Sequence, residues 1–234
     1  MRGIIAAIWI GVTGVTGVSG AQAQNNAVVV ELYTSQGCSS CPPADALLTE
    51  LAKRDDVIAL ALHVDYWDYL GWKDRHASPV FTQRQKAYAR AAGQRMVYTP
   101  QIVVAGQDHI VGTKAMQLAN LIERHRNQPR SVDLRVQRTG DTVEIQASAL
   151  SRLNGDVLVQ LMRYAPRDTV EIGRGENAGR TITYTNIVTE VTVLGGWDGK
   201  GPLRLQAKVT GDQPVVIVLQ SKSHGPILAA ARMR

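Results

Sequence analysis

Residues 27–41 read AVVVELYTSQGCSSC, an apolar run that leads directly into two cysteines separated by two residues. The apolar run predicts a buried strand. A Cys-x-x-Cys pair just past a strand is the arrangement that thiol–disulfide exchange requires, because one sulfur attacks a substrate disulfide and its neighbour resolves the mixed disulfide. Cys38 and Cys41 are the only cysteines of the chain and are therefore the first candidates for a functional site.

Two other interpretations of the cysteine pair stay open. One is a structural disulfide, although the chain-entropy model gives a loop this short only about 2 kcal/mol, against about 3 kcal/mol for a loop of about 15 residues. The other is a metal site, although two thiolates make only half of a zinc site and no pair of closely spaced histidines follows to complete it. We expect neither a bound metal nor a cofactor.

The N-terminal residues 1–23 predict a secretory signal peptide. An apolar stretch without a charge follows Arg2, and Ala21-Gln22-Ala23 is a small-x-small cleavage site. The stretch is shorter than the roughly 20 residues that span a bilayer. We therefore expect a mature chain that begins near Gln24, has no membrane attachment after cleavage, and works in the bacterial periplasm or outside the cell, where disulfides persist.

Charge and composition say little about partners. The net charge is +6 over 234 residues, and the charged residues are interspersed along the chain. The sequence contains no stripe of alternating aromatic and basic residues, so it does not indicate a nucleic-acid partner. With 44% hydrophobic residues, the chain can build ordinary cores, in one large domain or two small ones.

Strand-like and helix-like segments alternate before Pro129, which predicts an α/β domain over residues 24–129. The predicted strands are 28–33, 57–64, 101–105 and 109–111, and the predicted helices are 43–53, 80–92 and 114–126. After Pro129 the helical period disappears, and seven or so short strands separated by turn residues predict an all-β antiparallel sandwich domain over residues 130–234.

The order of elements over residues 27–126 resembles the thioredoxin fold, and the segment that leads into the cysteines is similar to that of glutaredoxins. The resemblance implies that Cys38 is the nucleophile, exposed at a helix start where thiolate is favoured. It implies that Cys41 is the buried resolving thiol. Thr99-Pro100 matches the cis-proline loop of such proteins, which lies against the cysteines and pairs its backbone with an extended substrate.

Glu31 is the candidate for the proton acceptor that thioredoxins place beneath the resolving cysteine. It lies seven residues before Cys38, whereas the thioredoxin spacing is six. The alternative is a charge at a strand end without a catalytic role.

Two further segments resemble parts of a site. Residues 65–72, DYWDYLGW, follow a predicted strand whose end should lie at the same sheet edge as Cys38. These aromatics form a wall over the site or a surface that binds peptides, or they are loop residues that pack against the helix predicted at 80–92. Residues 175–181, GENAGRT, either bind a carboxylate or dock onto the redox domain, or form an ordinary inter-strand turn.

Taken together, residues 31–45, 63–68, 98–101 and 175–181 are similar to domain-of-unknown-function family 1223. This is a group of secreted bacterial proteins in which a thioredoxin-like domain precedes a β-rich domain. The resemblance implies the fold and dithiol chemistry. We therefore expect a periplasmic thiol–disulfide oxidoreductase, or a redox-dependent binder, that acts on cysteine-containing exported proteins or on a small thiol.

Two alternative functions remain. One is a non-enzymatic periplasmic binding protein on a thioredoxin scaffold with a permanently closed disulfide. The other is a copper-handling protein, in which His63 or His76 would join the cysteines as a ligand for a soft metal. The copper-delivery proteins of this fold space their cysteines more widely than Cys38 and Cys41 are spaced here.

Overall fold

Strands and helices alternate through the first half of the protein. The computed structural model describes residues 27–233, so the predicted signal peptide, residues 1–23, lies outside the described residues. The elements of the first half are β1 (Val28–Thr34), α1 (Pro42–Leu51), β2 (Val57–His63), α2 (Pro79–Ala91), β3 (Gln101–Val104), β4 (Asp108–Val111) and α3 (Ala115–Arg126).

The local sequence explains where the helices begin and end. α1 opens with Pro42-Pro43, whose missing N–H groups cost nothing in a first turn. α2 follows Ser78, whose hydroxyl accepts a hydrogen bond of 3.3 Å from the backbone N–H of Val80. α3 ends in Arg124-His125-Arg126, where basic side chains interact favourably with the C-terminal end of the helix dipole.

The second half of the described chain contains strands but no α-helix. Its elements are β5 (Val132–Thr139), β6 (Thr142–Ala149), β7 (Val157–Glu171), β8 (Thr181–Trp197), β9 (Leu203–Lys208), β10 (Val215–Ser221) and β11 (Ile227–Met233). Strands β5, β6 and β9 form a three-stranded sheet. One face of this sheet packs through residues such as Ile145 and Leu203 against Val159 and Ile217 of β7 and β10, and these side chains form one apolar core.

The other strands of both halves form a single sheet of eight strands in the order β11-β10-β7-β8-β2-β1-β3-β4. β1 and β2 are parallel, and β3 is antiparallel to β1. β8 joins the two halves, because it pairs in parallel with β2 at Ala61 and Ile187. The sequence did not predict this pairing.

The two faces of β1 point into different cores. Val30 and Leu32 pack with α1 and α3, whereas Val29 and Tyr33 pack with α2 and with strands of the second half. Because successive side chains of a strand alternate between faces, Glu31 shares the α2 face and Thr34 shares the α1 face.

The β7–β8 hairpin extends beyond the sheet. Its strands are 15 and 17 residues long. The backbone of β8 is irregular at Asn186, which has a φ of 50° and donates a side-chain hydrogen bond of 2.9 Å to the carbonyl oxygen of Ala59. Next to it the hairpin contacts α1, where the hydroxyls of Thr49 and Thr185 are 2.9 Å apart, and the hairpin ends in residues 172–180, which we call the hairpin tip. The tip is closed by a hydrogen bond of 2.9 Å from the N–H of Ile172 to the carbonyl oxygen of Arg180.

The structure is thus a mixed α/β fold with a large multi-stranded sheet, and it contains three α-helices in residues 27–233. The predicted sandwich after residue 130 differs from what is observed: its second sheet is not separate but continues into the strands of the first half, through the β2–β8 pair. None of the helices between residues 27 and 233 combines the length and the apolar character that crossing a bilayer demands.

Candidate functional site

Cys38 and Cys41 form a disulfide between the end of β1 and the start of α1, with their Cα atoms 5.4 Å apart. A tight turn leads from β1 into the pair: the N–H of Cys38 donates to the carbonyl oxygen of Ser35, at 3.1 Å. Cys41 occupies the N-cap of α1 in a helical conformation, and its carbonyl oxygen accepts hydrogen bonds from the N–H groups of Ala44 and Asp45.

Both cysteines are buried. Cys38 is 2% exposed and Cys41 is 0% exposed. The resemblance implied an exposed Cys38, and the structure instead covers it, while Ser39 and Ser40 between the cysteines are exposed. The Sγ of Cys38 lies 3.4 Å from the Oγ of Ser40.

The hairpin tip covers the pair. The side-chain amide of Asn177, which is 1% exposed, donates hydrogen bonds of 2.9 Å to the carbonyl oxygens of both Gln36 and Cys38. The Glu176 carboxylate accepts a hydrogen bond of 3.2 Å from the N–H of Ser39. The second half of the chain therefore contributes directly to the surroundings of the disulfide. Of the alternatives for residues 175–181, the structure shows that this segment docks onto the loop that holds the cysteines.

The aromatic segment 65–72 forms a second wall of the site. Trp72 donates its indole N–H to the side-chain oxygen of Gln36, at 2.8 Å. Trp67 packs so closely that a Cβ on Gly37 would lie 3.2 Å from the Cβ of Trp67. Its indole N–H donates a hydrogen bond of 2.7 Å to the hydroxyl of Thr99.

The Thr99-Pro100 loop lies against the first turn of α1. The peptide bond between the two residues is cis, the isomer that the resemblance implied. Gly112 permits the close approach, because a Cβ at this position would lie 2.9 Å from the Cβ of Ala44 and 3.0 Å from the Cβ of Pro100. The structure thus brings Thr99 and Pro100 close to the helix whose N-cap is Cys41.

Glu31 does not lie at the cysteine pair. It is fully buried on the α2 face of β1, where its carboxylate accepts hydrogen bonds of 2.7 Å from the Arg84 guanidinium and 2.5 Å from the Tyr88 hydroxyl. Arg84 also donates to Gln160 and Gln220 of the second half, so the network connects four elements. Burial alone would lower the pKa of Arg84, but Glu31, Tyr88 and Tyr33 together outweigh burial and raise it. Glu31 is thus the buried counter-ion of Arg84, on the face of β1 opposite to the one that packs against α1.

A polar cluster that the sequence analysis missed lies on the α1 face instead. Thr34 and His63 are register partners at the ends of β1 and β2, so their side chains share this face. His63 Nδ1 lies 2.7 Å from the Oδ2 of buried Asp74, which also accepts a hydrogen bond of 2.8 Å from the N–H of Gln36. Burial would raise the pKa of the Asp74 carboxyl, but His63 and the hydrogen bonds lower it.

Asp45 completes this cluster from the first turn of α1. It is 4% exposed, and neither carboxylate oxygen has a hydrogen-bond partner of standard geometry among the described residues. Burial raises the pKa of the Asp45 carboxyl to about 7, although His63 and Thr34 counteract this shift. The available sequence signal was the spacing: Asp45 follows Cys41 by four residues, which is one helical turn.

Within residues 27–233 no group of three or more His, Cys, Asp or Glu side chains is placed to hold a metal ion. A groove of about 430 Å³ opens at the other end of β1, lined by residues that include Ala27, Gln107 and Arg130. It contains none of the site residues predicted from the sequence.

Comparison with known protein families shows to which family the chain belongs. The family model described as "Protein of unknown function (DUF1223)" matches residues 29–220. The chain belongs to the DUF1223 family. No curated protein matches this DUF1223 protein significantly.

Two solved structures resemble this DUF1223 protein. One is the crystal structure of AGR_C_4864 from Agrobacterium tumefaciens, which is 34% identical, with a TM-score of 0.77, and the match covers 90% of this chain and 96% of that one. The other is HBP35 of Porphyromonas gingivalis, which is 14% identical, with a TM-score of 0.63, and the match covers 89% of this chain and 75% of that one. At such low identity, the second likeness shows a shared fold only.

Proposed function

We propose that this DUF1223 protein is a thioredoxin-like thiol–disulfide oxidoreductase, in which Cys38 and Cys41 exchange with cysteines of exported proteins or with a small thiol. The observation that carries the proposal is the Cys38–Cys41 disulfide at the start of α1, with the Thr99-Pro100 loop close to the first turn of the same helix. The parallel β1–β2 pair, followed by antiparallel β3 and β4, supports the thioredoxin-like assignment.

In the oxidised protein, exchange begins when a substrate thiolate attacks the sulfur of Cys38. The bond between Cys38 and Cys41 then breaks, and the electron pair leaves on the Cys41 sulfur, which takes up a proton. A second substrate thiolate then attacks the mixed disulfide, which releases an oxidised substrate and leaves both cysteines reduced. The reverse sequence reduces a substrate disulfide.

The surroundings of Cys38 favour its thiolate only in part. Ser40 is placed to donate its hydroxyl to a Cys38 thiolate, since the Oγ lies 3.4 Å from the sulfur. Pro42 and Pro43 carry no N–H and remove two of the donors that a helix start normally offers to an anion. We therefore infer that the Cys38 thiolate is stabilised less than the thiolates of the strongest thiol oxidants.

Five large apolar side chains are exposed in the described part of the first half, on segments that meet the sheet at the disulfide edge, where a polypeptide substrate would pass. They are Tyr69 in a single 3-10 turn, Met96 in a loop, Val80 at the start of α2, Val111 at the end of β4 and Met116 at the start of α3.

One observation favours a second candidate function, a binding protein with a permanently closed disulfide. Cys38 is 2% exposed under the hairpin tip, so a substrate reaches its sulfur only when the tip or the Trp67 wall moves. A structural disulfide needs no such movement.

Trapping of mixed disulfides separates the two functions. In cells, Cys41→Ser should capture disulfide-linked partners through Cys38, because no thiol remains to resolve them, and Cys38→Ser is the matched control that should capture few. The second measurement is the reduction potential, which lies below about −300 mV for structural disulfides and higher for catalytic ones. No trapped species from either variant, together with a potential below that limit, would leave the binding protein as the function.

A further inference from the structure

Asp45 is a buried acid without a clear structural role. Its side chain is 4% exposed, and it forms no ion pair and no hydrogen bond of standard geometry with other described residues. A buried carboxyl without partners is costly to fold around. By contrast, the other buried acids of the first half, Glu31 and Asp74, are each held by at least two hydrogen bonds.

The position of Asp45 on α1 relates it to Cys41. The backbone N–H of Asp45 donates to the carbonyl oxygen of Cys41, at 3.1 Å, so the two residues are one helical turn apart. Residues at this spacing share a helix face, with their Cβ atoms about 5–6 Å apart. Helical side chains also lean toward the N-terminus, and from this we infer that the Asp45 carboxyl lies toward the turn that holds Cys41.

The surroundings of Asp45 suit an acid that changes its protonation state. The polar groups around it come from three elements: Thr34 of β1, His63 of β2 and Tyr184 of β8, with Asp74 next to His63. The hydroxyl of Thr34 and the Nε2 of His63 also lack hydrogen-bond partners among the described residues. Within residues 27–233 no ion pair holds the carboxyl in its charged form, and although His63 favours that form, burial keeps the pKa at about 7, so both forms are accessible near neutral pH.

We propose that Asp45 exchanges the proton of the Cys41 thiol when the disulfide opens and closes. The proposal rests on the exchange function above and deepens it. In closure, the Cys41 thiol gives its proton to the Asp45 carboxylate, and its sulfur attacks the Cys38 sulfur of the mixed disulfide. The bond between Cys38 and the substrate sulfur breaks, and the electron pair leaves with the substrate sulfur, which takes a proton from solvent. In opening, protonated Asp45 gives its proton to the departing Cys41 thiolate.

The test follows ring closure in the full-length reduced protein. Dithionitrobenzoate forms a mixed disulfide with Cys38, and attack by Cys41 releases the second coloured thiolate in a unimolecular phase. With Asp45→Asn, this phase should slow about 100-fold near pH 7, within the range for a general base, and the difference should vanish near pH 9, where solvent deprotonates the thiol. Glu50→Gln, which removes an exposed carboxyl of the same helix, should leave the phase unchanged.

The pH profile distinguishes proton exchange from a structural effect. An equal slowing at all pH values, or no slowing, would overturn the proposal. If Cys38 does not react at all in the wild type, the exchange function fails, and an equilibrium measurement still tests Asp45. The reduction potentials of wild type and Asp45→Asn should then differ by an amount that changes between about pH 5 and about pH 9. A difference that is constant with pH shows that Asp45 and the cysteines are not coupled.

Discussion

Asn177 donates its side-chain amide to the carbonyl oxygen of Cys38, at 2.9 Å and across 139 residues of chain. This hydrogen bond joins the hairpin tip to the disulfide, and the same amide also holds the carbonyl oxygen of Gln36. A buried backbone carbonyl that lacks a donor raises the free energy of the folded state by about 1–3 kcal/mol. The position of the tip against the cysteine loop therefore depends strongly on this one side chain.

The first prediction concerns access to the disulfide. Asn177→Ala removes both hydrogen bonds, so the tip should open more often and dithiothreitol should reduce the disulfide at least about ten-fold faster, which corresponds to about 1.4 kcal/mol. Stopped-flow reduction followed by alkylation and mass spectrometry measures this rate. Arg174→Ala, in an exposed position of the same tip, is the control and should react like the wild type. Equal rates for both variants would show that the tip does not limit access.

The second prediction concerns the buried ion pair of Glu31 and Arg84. Arg84→Met leaves the Glu31 carboxylate buried without its cation, so the free energy of unfolding should fall by about 3–5 kcal/mol. Lys53→Met removes the cation of the exposed pair with Glu50 and should cost less than about 1 kcal/mol. Urea unfolding measures both values, and similar losses in the two variants would contradict the structural role of the buried pair.

The third prediction concerns the pH dependence of stability. Burial raises the pKa of Asp45 to about 7, so the folded state holds this proton more tightly than the unfolded state. As the pH rises from about 4 to about 7, Asp45 should therefore lower the free energy of unfolding, by at most about 1.4 kcal/mol per pH unit.

Asp74 acts in the opposite direction, because its pKa is lowered in the folded state, and it contributes stability that is lost as the pH falls. The informative quantity is thus the difference between wild type and Asp45→Asn in urea unfolding across this pH range. The variant should gain stability relative to the wild type as the pH rises. A difference in the free energy of unfolding that does not change with pH would show that Asp45 does not titrate as a buried acid.

The fourth prediction concerns the approach of the Thr99-Pro100 loop to α1. Gly112→Ala places a methyl group 2.9 Å from the Cβ of Ala44 and 3.0 Å from the Cβ of Pro100, and neither neighbour is a flexible side chain. We expect a loss of about 1–3 kcal/mol in the free energy of unfolding and slower exchange with protein substrates. Gly201→Ala is the control, because a Cβ added at this position would meet no heavy atom within 4 Å, and it should change neither quantity. An unchanged Gly112→Ala variant would mean that this contact is loose in solution.

The fifth prediction concerns export. If residues 1–23 are a signal peptide, the intact mass of the protein recovered from the periplasm should correspond to a chain that starts at Gln24. Full-length protein retained in a membrane fraction would be the contrary result.

The sequence was sufficient to predict most elements, because hydrophobic periodicity is a local property. The strand predicted at 57–64 is β2, Val57–His63, and the helix predicted at 80–92 is α2, Pro79–Ala91. The β2–β8 pairing was not predictable in the same way. It depends on which edge of the sheet the second half meets, and no local pattern encodes this choice.

The candidate site was predictable only in part, for related reasons. The positions of the cysteines and of Thr99-Pro100 follow from local motifs. The face of β1 on which Glu31 lies does not follow from a local motif. Both faces of β1 are buried, so the sequence of the strand shows no alternation that would indicate which side meets α1. Asn177 was also hidden, since a glycine-rich turn has the same composition whether or not it docks on another loop.

The order of the elements along the chain has a consequence for the newly made protein. The cysteine pair and β2 are synthesised long before the hairpin that meets them, since Asn186 and its acceptor Ala59 are 127 residues apart. Until the hairpin arrives, β2 presents an unpaired edge, which in other proteins recruits foreign strands. During the same interval no tip covers Cys38, so both thiols stay accessible to solvent. The order of the elements therefore exposes the pair early and encloses it late, and an exported fragment that ends before residue 172 should be both easily oxidised and prone to aggregate.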